Sequence, residues 1–235
     1  MGSEMCIRDR FKKVGHLGTL DPMATGLLIL AINRGTKFSS LLLESHKSYA
    51  AEVTLGIQTD TDDAEGEKIL SRPVTCNNEQ TKQMLLSFLG SSKQKPPIYS
   101  ALKVNGKPMY KYARQGVKVE KASRNIEIQT IENISINLPR VSFEVSCSKG
   151  TYIRSIARDL GELLGCGGHL SALKRLTQQD FLLKDAKKID EINELDIIPL
   201  ELAFNNLESV NIPEEQFKKF INGSAVDLGL SKNSL

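Results

Sequence analysis

Two runs of alternating residues constrain the fold of this chain more than any other feature. Every second residue from Tyr49 to Ile57 is apolar or aromatic, and serine and glutamate separate the apolar positions from Val141 to Cys147. A period of two places the apolar side chains on one face of a half-buried β-strand. The sequence therefore predicts two strands that bury one face each.

Helical patterns lie between and after these strands. The segment from Thr81 to Leu89 has its apolar residues on one helical face and stops at Gly90, and a second apolar pattern from Ile153 to Leu164 stops at Gly165. A further helix is predicted after Ser171. Strands and helices alternate without a regular β-α-β order, which predicts an α+β fold with a mixed, mostly antiparallel sheet flanked by helices.

The pattern changes near both ends of the chain. Residues 1–10 lack the apolar core of a secretion signal and do not continue into the pattern of the residues after them, so we interpret them as a foreign or altered start. The segment from Asp190 to Phe204 reads as a partly acidic helix that closes a domain spanning 11–205. A new pattern begins near Val210, with Pro213 and Gly223 placed to start and stop a helix. Residues 206–235 are expected to begin a second domain.

Composition argues against membrane and metal-binding classes. The longest apolar run, Gly26 to Ile32, is far shorter than the roughly 20 residues of a transmembrane helix. The four cysteines form no C-x-x-C pair, which predicts a reduced, cytoplasmic location and no structural metal. The acidic run that starts at Asp60 does not match a calcium loop, because Ala64 and Ser71 occupy ligand positions.

Charge is concentrated in one segment. Between Lys93 and Arg124, nine basic residues face the single acid Glu120, so this segment carries +8 and the rest of the chain −5 of the total +3. A basic patch on an acidic body is typical of a protein that binds a polyanion. The tyrosines within it, Tyr99, Tyr110 and Tyr112, are suited to stacking on unpaired bases, which favours RNA over a merely solvated lysine-rich loop.

The stretch "GHLGTLDPMATG" contains a candidate reactive group. Asp21 followed by Pro22 predicts a helix N-cap, where backbone N–H groups and the helix dipole favour an ionised carboxylate. A fixed, charged carboxylate is a usable nucleophile, although a purely structural cap fits the same pattern. Arg154 and Arg158 share one helix face, which could point to solvent, or Arg154 could be buried beside Asp21. Local pattern leaves both alternatives open.

Four stretches together resemble the bacterial TruB family of tRNA pseudouridine synthases. They are "GHLGTLDPMATGLL", "SYAAEVTLGIQTDTDDAEGE", "PPIYSALKVNGKPMYKYARQGV" and "CSKGTYIRSIARDLGELLGCGGHLSALKRL", in family order from about Val14 to about Phe204. The resemblance implies a pseudouridine synthase fold with a basic insertion at about 91–125. It also implies an isomerase that acts on the T-loop uridine 55 of tRNA without cofactor or obligatory protein partner, as a monomer. Relative to the family, we expect truncation at both ends, with 206–235 as the start of a PUA-like domain, and Leu17 replaces a threonine.

The resemblance also implies roles for individual residues. Asp21 is implied to be catalytic and paired with Arg154, while Tyr49 stacks on the target base. His16 is implied to contact RNA around the flipped uridine, and Tyr152 and Leu173 to line the uridine pocket. In the basic segment, the residues expected to bind RNA are Lys103, Lys107, Lys111 and Arg114.

Three mechanisms and two other functions remain open from the sequence. Asp21 could attack C1′ of the ribose, attack C6 of the ring, or promote loss of the C2′ proton. The chain could instead be a non-catalytic tRNA-binding or folding chaperone. It could also be a guide-RNA-dependent synthase that modifies ribosomal RNA.

Overall fold

A computed structural model describes residues 11–226, apart from 101–102, 105, 110–111, 113–114, 116, 118–121 and 205–209. Lys111 and Arg114, both expected to bind RNA, lie outside the described residues, as does Tyr110. The chain divides into two compact units, of which the first ends at Asp190 and the second begins at Glu191. The predicted boundary near 205 stays a prediction.

The described residues alternate between short and long elements. In chain order, the strands are β1 (Val14–His16), β2 (Thr25–Gly26), β3 (Leu30–Ile32), β4 (Lys47–Leu55), β5 (Ile57–Thr59), β6 (Lys68–Ser71), β7 (Gly90–Gln94), β8 (Lys103–Val104), β9 (Lys107–Pro108), β10 (Arg124–Asn137), β11 (Arg140–Cys147), β12 (Gly168–Gln178) and β13 (Phe181–Leu182). The helices are α1 (Ser39–Leu43), α2 (Asn78–Leu86), α3 (Ile153–Leu163), α4 (Leu200–Ala203) and α5 (Glu214–Ile221). Segments of 3-10 helix cover Asn33–Phe38, Leu183–Asp185, Ile189–Glu191 and Glu194–Asp196.

Seven of the described strands form one sheet that organises the first unit. Its order is β13-β12-β4-β11-β10-β7, and β2 adds to it by pairing with β12. Neighbours along this order run antiparallel, and only the β2–β12 pairing is parallel. The predicted mixed, mostly antiparallel sheet is therefore confirmed.

The hydrophobic core lies between this sheet and two helices. Helix α3 packs against β12 and β4, and α2 packs against β10. Buried apolar side chains from these elements include Val53, Phe143, Ile156, Leu160 and Leu170. The two alternating runs supply β4 and β11, which pair with each other, so the predicted strands do share one core.

Helix boundaries follow the caps more closely than the apolar pattern. Helix α2 begins three residues earlier than predicted because Asn77 and Gln80 form a reciprocal capping box. Helix α3 ends at Leu163, one residue before the predicted limit, and Gly165 then adopts a left-handed backbone with φ of 74°. The strand predicted from Tyr49 to Ile57 is interrupted at Gly56, whose φ is 86°. Ile57 begins a separate strand, β5, which pairs with β6.

The helix predicted after Ser171 is wrong, because this segment is the long strand β12. Two irregularities in its pairing with β4, between Leu170 and Ala172 and between Arg175 and Thr177, each insert one extra residue. The buried positions therefore fall at residues 168–170, 173, 175 and 178, with two- and three-residue steps after residue 170. Such spacing imitates a helical face.

The second unit corrects one further prediction. The expected helix from Asp190 to Phe204 is reduced to 3-10 turns and α4, because Asn193 and Asp196 close a single capped turn and Pro199 precedes α4. Helix α5 begins after Pro213 and stops before Gly223, close to the predicted limits. Across the described parts of both units, no helix combines the length and apolarity that a bilayer crossing requires.

Candidate active site

Asp21 lies in a tight turn, so the predicted helix N-cap is wrong. The amide of Ala24 donates to the carbonyl of Asp21 at 2.9 Å, and strand β2 follows at Thr25. An aspartate before a proline fits the start of a turn as well as the start of a helix. The Asp21 carboxylate therefore owes its orientation to a side chain from another element.

That side chain is Arg154, in the first turn of α3. Arg154 Nη2 donates a hydrogen bond to Asp21 Oδ1 at 2.9 Å. Arg154 Nε lies 2.9 Å from Asp21 Oδ2, which is an ion-pair contact but not a hydrogen bond, because the N–H does not point at the oxygen. The Arg154 side chain is 6% exposed and that of Asp21 28%. A two-point contact with a buried guanidinium fixes the plane of the Asp21 carboxylate, while part of that side chain remains exposed.

Residues of the acidic run that starts at Asp60 also contact the Arg154 guanidinium. Arg154 Nη1 donates to the Thr61 carbonyl at 3.1 Å and lies 3.4 Å from Asp63 Oδ2. Asp63 is itself held by the Thr61 hydroxyl at 2.6 Å and by the Glu65 amide at 3.1 Å. This run, interpreted from sequence as a turn, thus places a second buried carboxylate against the arginine that orients Asp21.

Arg158 lies one helical turn after Arg154 on α3 and, like Arg154, contacts two carboxylates. Its guanidinium contacts Asp62 at 3.0 Å and Asp159 at 2.7 Å. The face that Arg154 and Arg158 share therefore packs against the acidic run. Of the two alternatives left open by the sequence, the structure has Arg154 buried beside Asp21.

Tyr49 lies on the β4 strand next to β12, where it faces Arg175 in register. Burial raises the pKa of Tyr49 to about 12; the guanidinium of Arg175 acts in the opposite direction, and the charge of Asp21 adds to the rise. The phenol therefore stays neutral at physiological pH. A half-buried neutral ring close to Asp21 can offer a stacking face to a base.

Ionisation of Tyr49 is expected to destabilise the folded protein at high pH. Below pH 10 both the folded and the unfolded chain hold the phenol proton, but between 10.0 and about 12 the unfolded chain releases it first. The free energy of unfolding should therefore fall by roughly 1 kcal/mol per pH unit in that window. Cys147, whose pKa burial raises from 9.0 to about 11, should add a similar loss that begins near pH 9.

Urea unfolding as a function of pH measures this effect. The Tyr49→Phe variant keeps the ring and removes the titrating hydroxyl, so its stability should decline less steeply than that of the wild type above about pH 10. Parallel curves for the two proteins would contradict the prediction.

Tyr152 is held at the start of α3 by its backbone. Gln94, at the end of β7, donates to the Tyr152 carbonyl at 3.0 Å and accepts from its amide at 2.8 Å. The Arg124 guanidinium lies 5.5 Å from the centre of the Tyr152 ring, within cation–π range. Leu173 is buried on β12 opposite Ala51 and belongs to the core.

The remaining predicted residues lie on other strands. His16 is the exposed last residue of β1, and within the described residues no hydrogen bond joins it to Asp21. Lys103 and Lys107 lie on β8 and β9, which pair as a two-stranded sheet. The structure therefore brings together Asp21, Arg154 and Tyr49.

Sequence reasoning missed four residues around this centre. Asp63 supports Arg154, Gln94 anchors Tyr152, and Arg175 and Gln178 hold the segment that leads to Asp21. Of these four residues, only Asp63 could have been found from the sequence. Asp62 and Asp63 are adjacent, and Arg154 and Arg158 are four residues apart on one helix, so the two pairs have complementary charges.

The Asp21 carboxylate is partly exposed, with 28% of its side chain accessible. A groove of about 550 Å³ lies along β7 and β10 and is lined by Ser91, Ser92, Lys93, Asn125, Ile126, Glu127 and Ser148. This groove contains neither Asp21 nor Arg154. The exposed carboxylate of Asp21, and not the groove, identifies the chemical centre. A partly exposed carboxylate suits a macromolecular substrate, which can cover the carboxylate when it binds.

Among the described residues, no group of three or more His, Cys, Asp and Glu side chains is placed to hold a metal ion.

Comparison with protein families covers most of the chain. Residues 8–153 match the family model described as TruB family pseudouridylate synthase (N terminal domain). Residues 154–201 match the model described as tRNA pseudouridylate synthase B C-terminal domain. The boundary between the two models falls at Arg154, so the Asp21–Arg154 contact joins the two matched parts.

Curated relatives and solved structures agree with this match. The chain is 44% identical to tRNA pseudouridine synthase B of Alkaliphilus oremlandii over 92% of this chain and 74% of that protein, and 43% identical to that of Clostridium kluyveri over 92% and 76%. A Cbf5-Nop10-Gar1 complex contains a similar chain, with TM-score 0.58 and 28% identity over 77% of this chain and 46% of that one.

A second solved structure shows the same fold at lower identity. It is an H/ACA RNP bound to a substrate RNA containing 2′-deoxyuridine, with TM-score 0.59 and 23% identity over 81% of this chain and 47% of that one. The chain thus spans about half the length of these two solved chains. The predicted α+β pseudouridine synthase fold is confirmed, and the chain belongs to the TruB family of pseudouridylate synthases.

Proposed function

We propose that this protein converts uridine 55 in the T-loop of tRNA to pseudouridine, with Asp21 as the catalytic carboxylate acting on a uridine flipped out of its stack. The coarser part, that the chain is an isomerase that forms pseudouridine in tRNA, follows from its family and from its identity to tRNA pseudouridine synthase B of several bacteria. The position of the uridine and the roles of the residues are our proposal.

The observation that carries the proposal is the Asp21–Arg154 pair. Forming pseudouridine breaks the N1–C1′ bond, turns the detached uracil and joins its C5 to C1′, with the C5 proton lost and one gained at N1. The reaction needs neither redox chemistry nor energy input. It needs a carboxylate held in a fixed direction, which the two contacts at 2.9 Å supply.

The geometry is compatible with each of the three mechanisms. In one of them, a carboxylate oxygen of Asp21 bonds to C1′ while N1 leaves with the bonding electrons. In the second, it adds to C6, and in the third it assists loss of the C2′ proton. Each route uses the Asp21 carboxylate, so the proposal does not depend on the choice among them.

The surroundings of Asp21 support base flipping. Extruding a base costs a few kcal/mol, which stacking on protein rings and contacts with the RNA backbone offset. The Tyr49 ring is a suitable stacking partner, and we assign Tyr152, Leu173 and His16 to the surroundings of the flipped nucleotide. The basic segment, including Lys103 and Lys107 on β8 and β9, is suited to holding tRNA phosphates.

The test is a reaction with an unmodified T-arm stem-loop. Carbodiimide treatment followed by reverse transcription should stop at position 55 after incubation with the protein, and a stem-loop with cytidine at 55 should give no stop. A stop at a different uridine would contradict the site assignment. Binding without any product would favour the chaperone. Product that appears only after a guide RNA is added would favour the guide-dependent synthase.

A further inference from the structure

Arg175 is a buried charge without an acidic partner. It lies on β12, is 1% exposed and is among the largest fully buried side chains. Among the described residues its guanidinium forms no ion pair with a carboxylate, and its Nε is buried without an acceptor. Both features cost free energy, so this position calls for an explanation beyond core packing.

The Arg175 side chain binds the backbone of the residues that precede Asp21. Its Nη1 and Nη2 donate to the Gly18 carbonyl at 3.1 and 3.0 Å, and Nη2 also donates to the Thr19 carbonyl at 3.0 Å. Nη1 further donates to Gln178 Oε1 at 2.8 Å, while Gln178 Nε2 donates to the Leu17 carbonyl at 2.8 Å. Three consecutive carbonyls, those of residues 17–19, are therefore held by one buried pair.

The Arg175 backbone holds the segment that follows Asp21. The Leu27 amide donates to the Arg175 carbonyl at 3.0 Å, and Gly26 lies opposite Arg175 in the parallel pairing of β2 with β12. A Cβ at Gly26 would collide with the Arg175 backbone, and the φ of Gly26 is 98°, so only glycine allows this approach. Residues 17–19 and 26–27, on both sides of Asp21, are thus fastened to a single residue.

The charge of Arg175 also acts on the centre itself. Arg175 is the cross-strand neighbour of Tyr49 on the sheet. Burial lowers the pKa of Arg175, whereas the acidic groups of Tyr49 and Asp21 act in the opposite direction. A guanidinium remains protonated at neutral pH even so.

We propose that Arg175 is a positioning residue for the reaction: it fastens both flanks of the Asp21 turn to β12 and so holds the reactive carboxylate in place. The proposal rests on the proposed function, since it assigns Asp21 the reactive role. It differs from a merely structural role in what it predicts, namely a loss of turnover that exceeds any loss of tRNA binding.

The test compares Arg175→Met and Arg175→Lys with a matched control, Arg72→Met. Arg72 also donates to a backbone carbonyl, that of Gly165 at 3.2 Å, but at an exposed position. Single-turnover rates and tRNA dissociation constants should be measured below the melting temperature of each variant. We expect Arg175→Met to lower the rate about 100-fold, the effect of a displacement of about 1 Å at a reacting group, with binding changed no more than about threefold. Arg175→Lys, which keeps the charge, should recover part of the rate, and Arg72→Met should match the wild type.

Hydrogen exchange of the amides in residues 17–27 separates this proposal from the proposed function. Arg175→Met should speed exchange there and not in β11, whereas Arg72→Met should not. A wild-type rate for Arg175→Met, or unchanged exchange in residues 17–27, would overturn the positioning role. If the wild type made no pseudouridine while exchange in residues 17–27 still rose in Arg175→Met, the proposed function would fail and the fastening by Arg175 would stand.

Discussion

Replacement of Asp21 by asparagine is expected to abolish pseudouridine formation while the protein remains folded and still binds tRNA. An amide is neither ionised nor nucleophilic, so the loss in single-turnover rate should be at least about 10⁴-fold. Arg154 would keep its contacts with Asp63 and with the carbonyls of Thr61 and Tyr99. The cost in stability should therefore stay near 1–3 kcal/mol, the usual range for one impaired hydrogen-bonded charge pair.

Asp159→Asn is the matched control for this experiment. Asp159 also pairs with an arginine of α3, at 2.7 Å from Arg158 Nη2, and its side chain is 32% exposed, close to the 28% of Asp21. Its carboxylate pairs with Arg158 and not with Arg154, so its removal should leave the rate within about threefold of wild type, the scatter expected of distant sites. Comparable product from Asp21→Asn and Asp159→Asn would refute a catalytic role for Asp21 and revive the chaperone alternative.

The sequence predicts the parts of the fold that depend on neighbouring residues. Strands β4 and β11 and helix α3 follow from local periodicity, and Gly165 ends α3 as expected. Strand β12 was not predictable in this way. Its two bulges are set by pairing with β4, and they convert a strand pattern into apparent helical spacing.

The candidate site is harder to predict from neighbouring residues in the sequence than the fold is. "Asp21-Pro22" fits a helix cap and a turn equally well, and the orientation of the Asp21 carboxylate depends on Arg154, 133 residues away in sequence. The family resemblance implied that pairing, but nothing local to Arg175 or Gln178 showed that their side chains would bind the carbonyls of residues 17–19, some 160 residues earlier. Such residues become visible only once the sheet register is known.

Arg154 is expected to be the residue whose loss harms stability and turnover together. Its guanidinium lies between two carboxylates, those of Asp21 and Asp63, and also binds the carbonyls of Thr61 and Tyr99. In Arg154→Met, Asp63 would remain buried, with its side chain 5% exposed, and would lose its cation. Breaking a buried pair in this way costs about 3–5 kcal/mol, and the Asp21 carboxylate would lose its fixed direction.

Arg154→Lys and Arg158→Met separate these two effects. Lysine keeps a positive charge between the carboxylates but cannot contact both oxygens of Asp21 in one plane, so stability should largely recover while the rate stays about 100-fold below wild type. Arg158→Met removes the guanidinium that contacts Asp62 at 3.0 Å, where the Asp62 side chain is 9% exposed, and should also destabilise the protein. Because Arg158 does not contact Asp21, folded Arg158→Met should nevertheless turn over at close to the wild-type rate. Urea unfolding and single-turnover assays on the three variants measure both quantities. Equal loss of turnover in folded Arg154→Met and Arg158→Met would mean that orientation of Asp21 by Arg154 is not what the reaction requires.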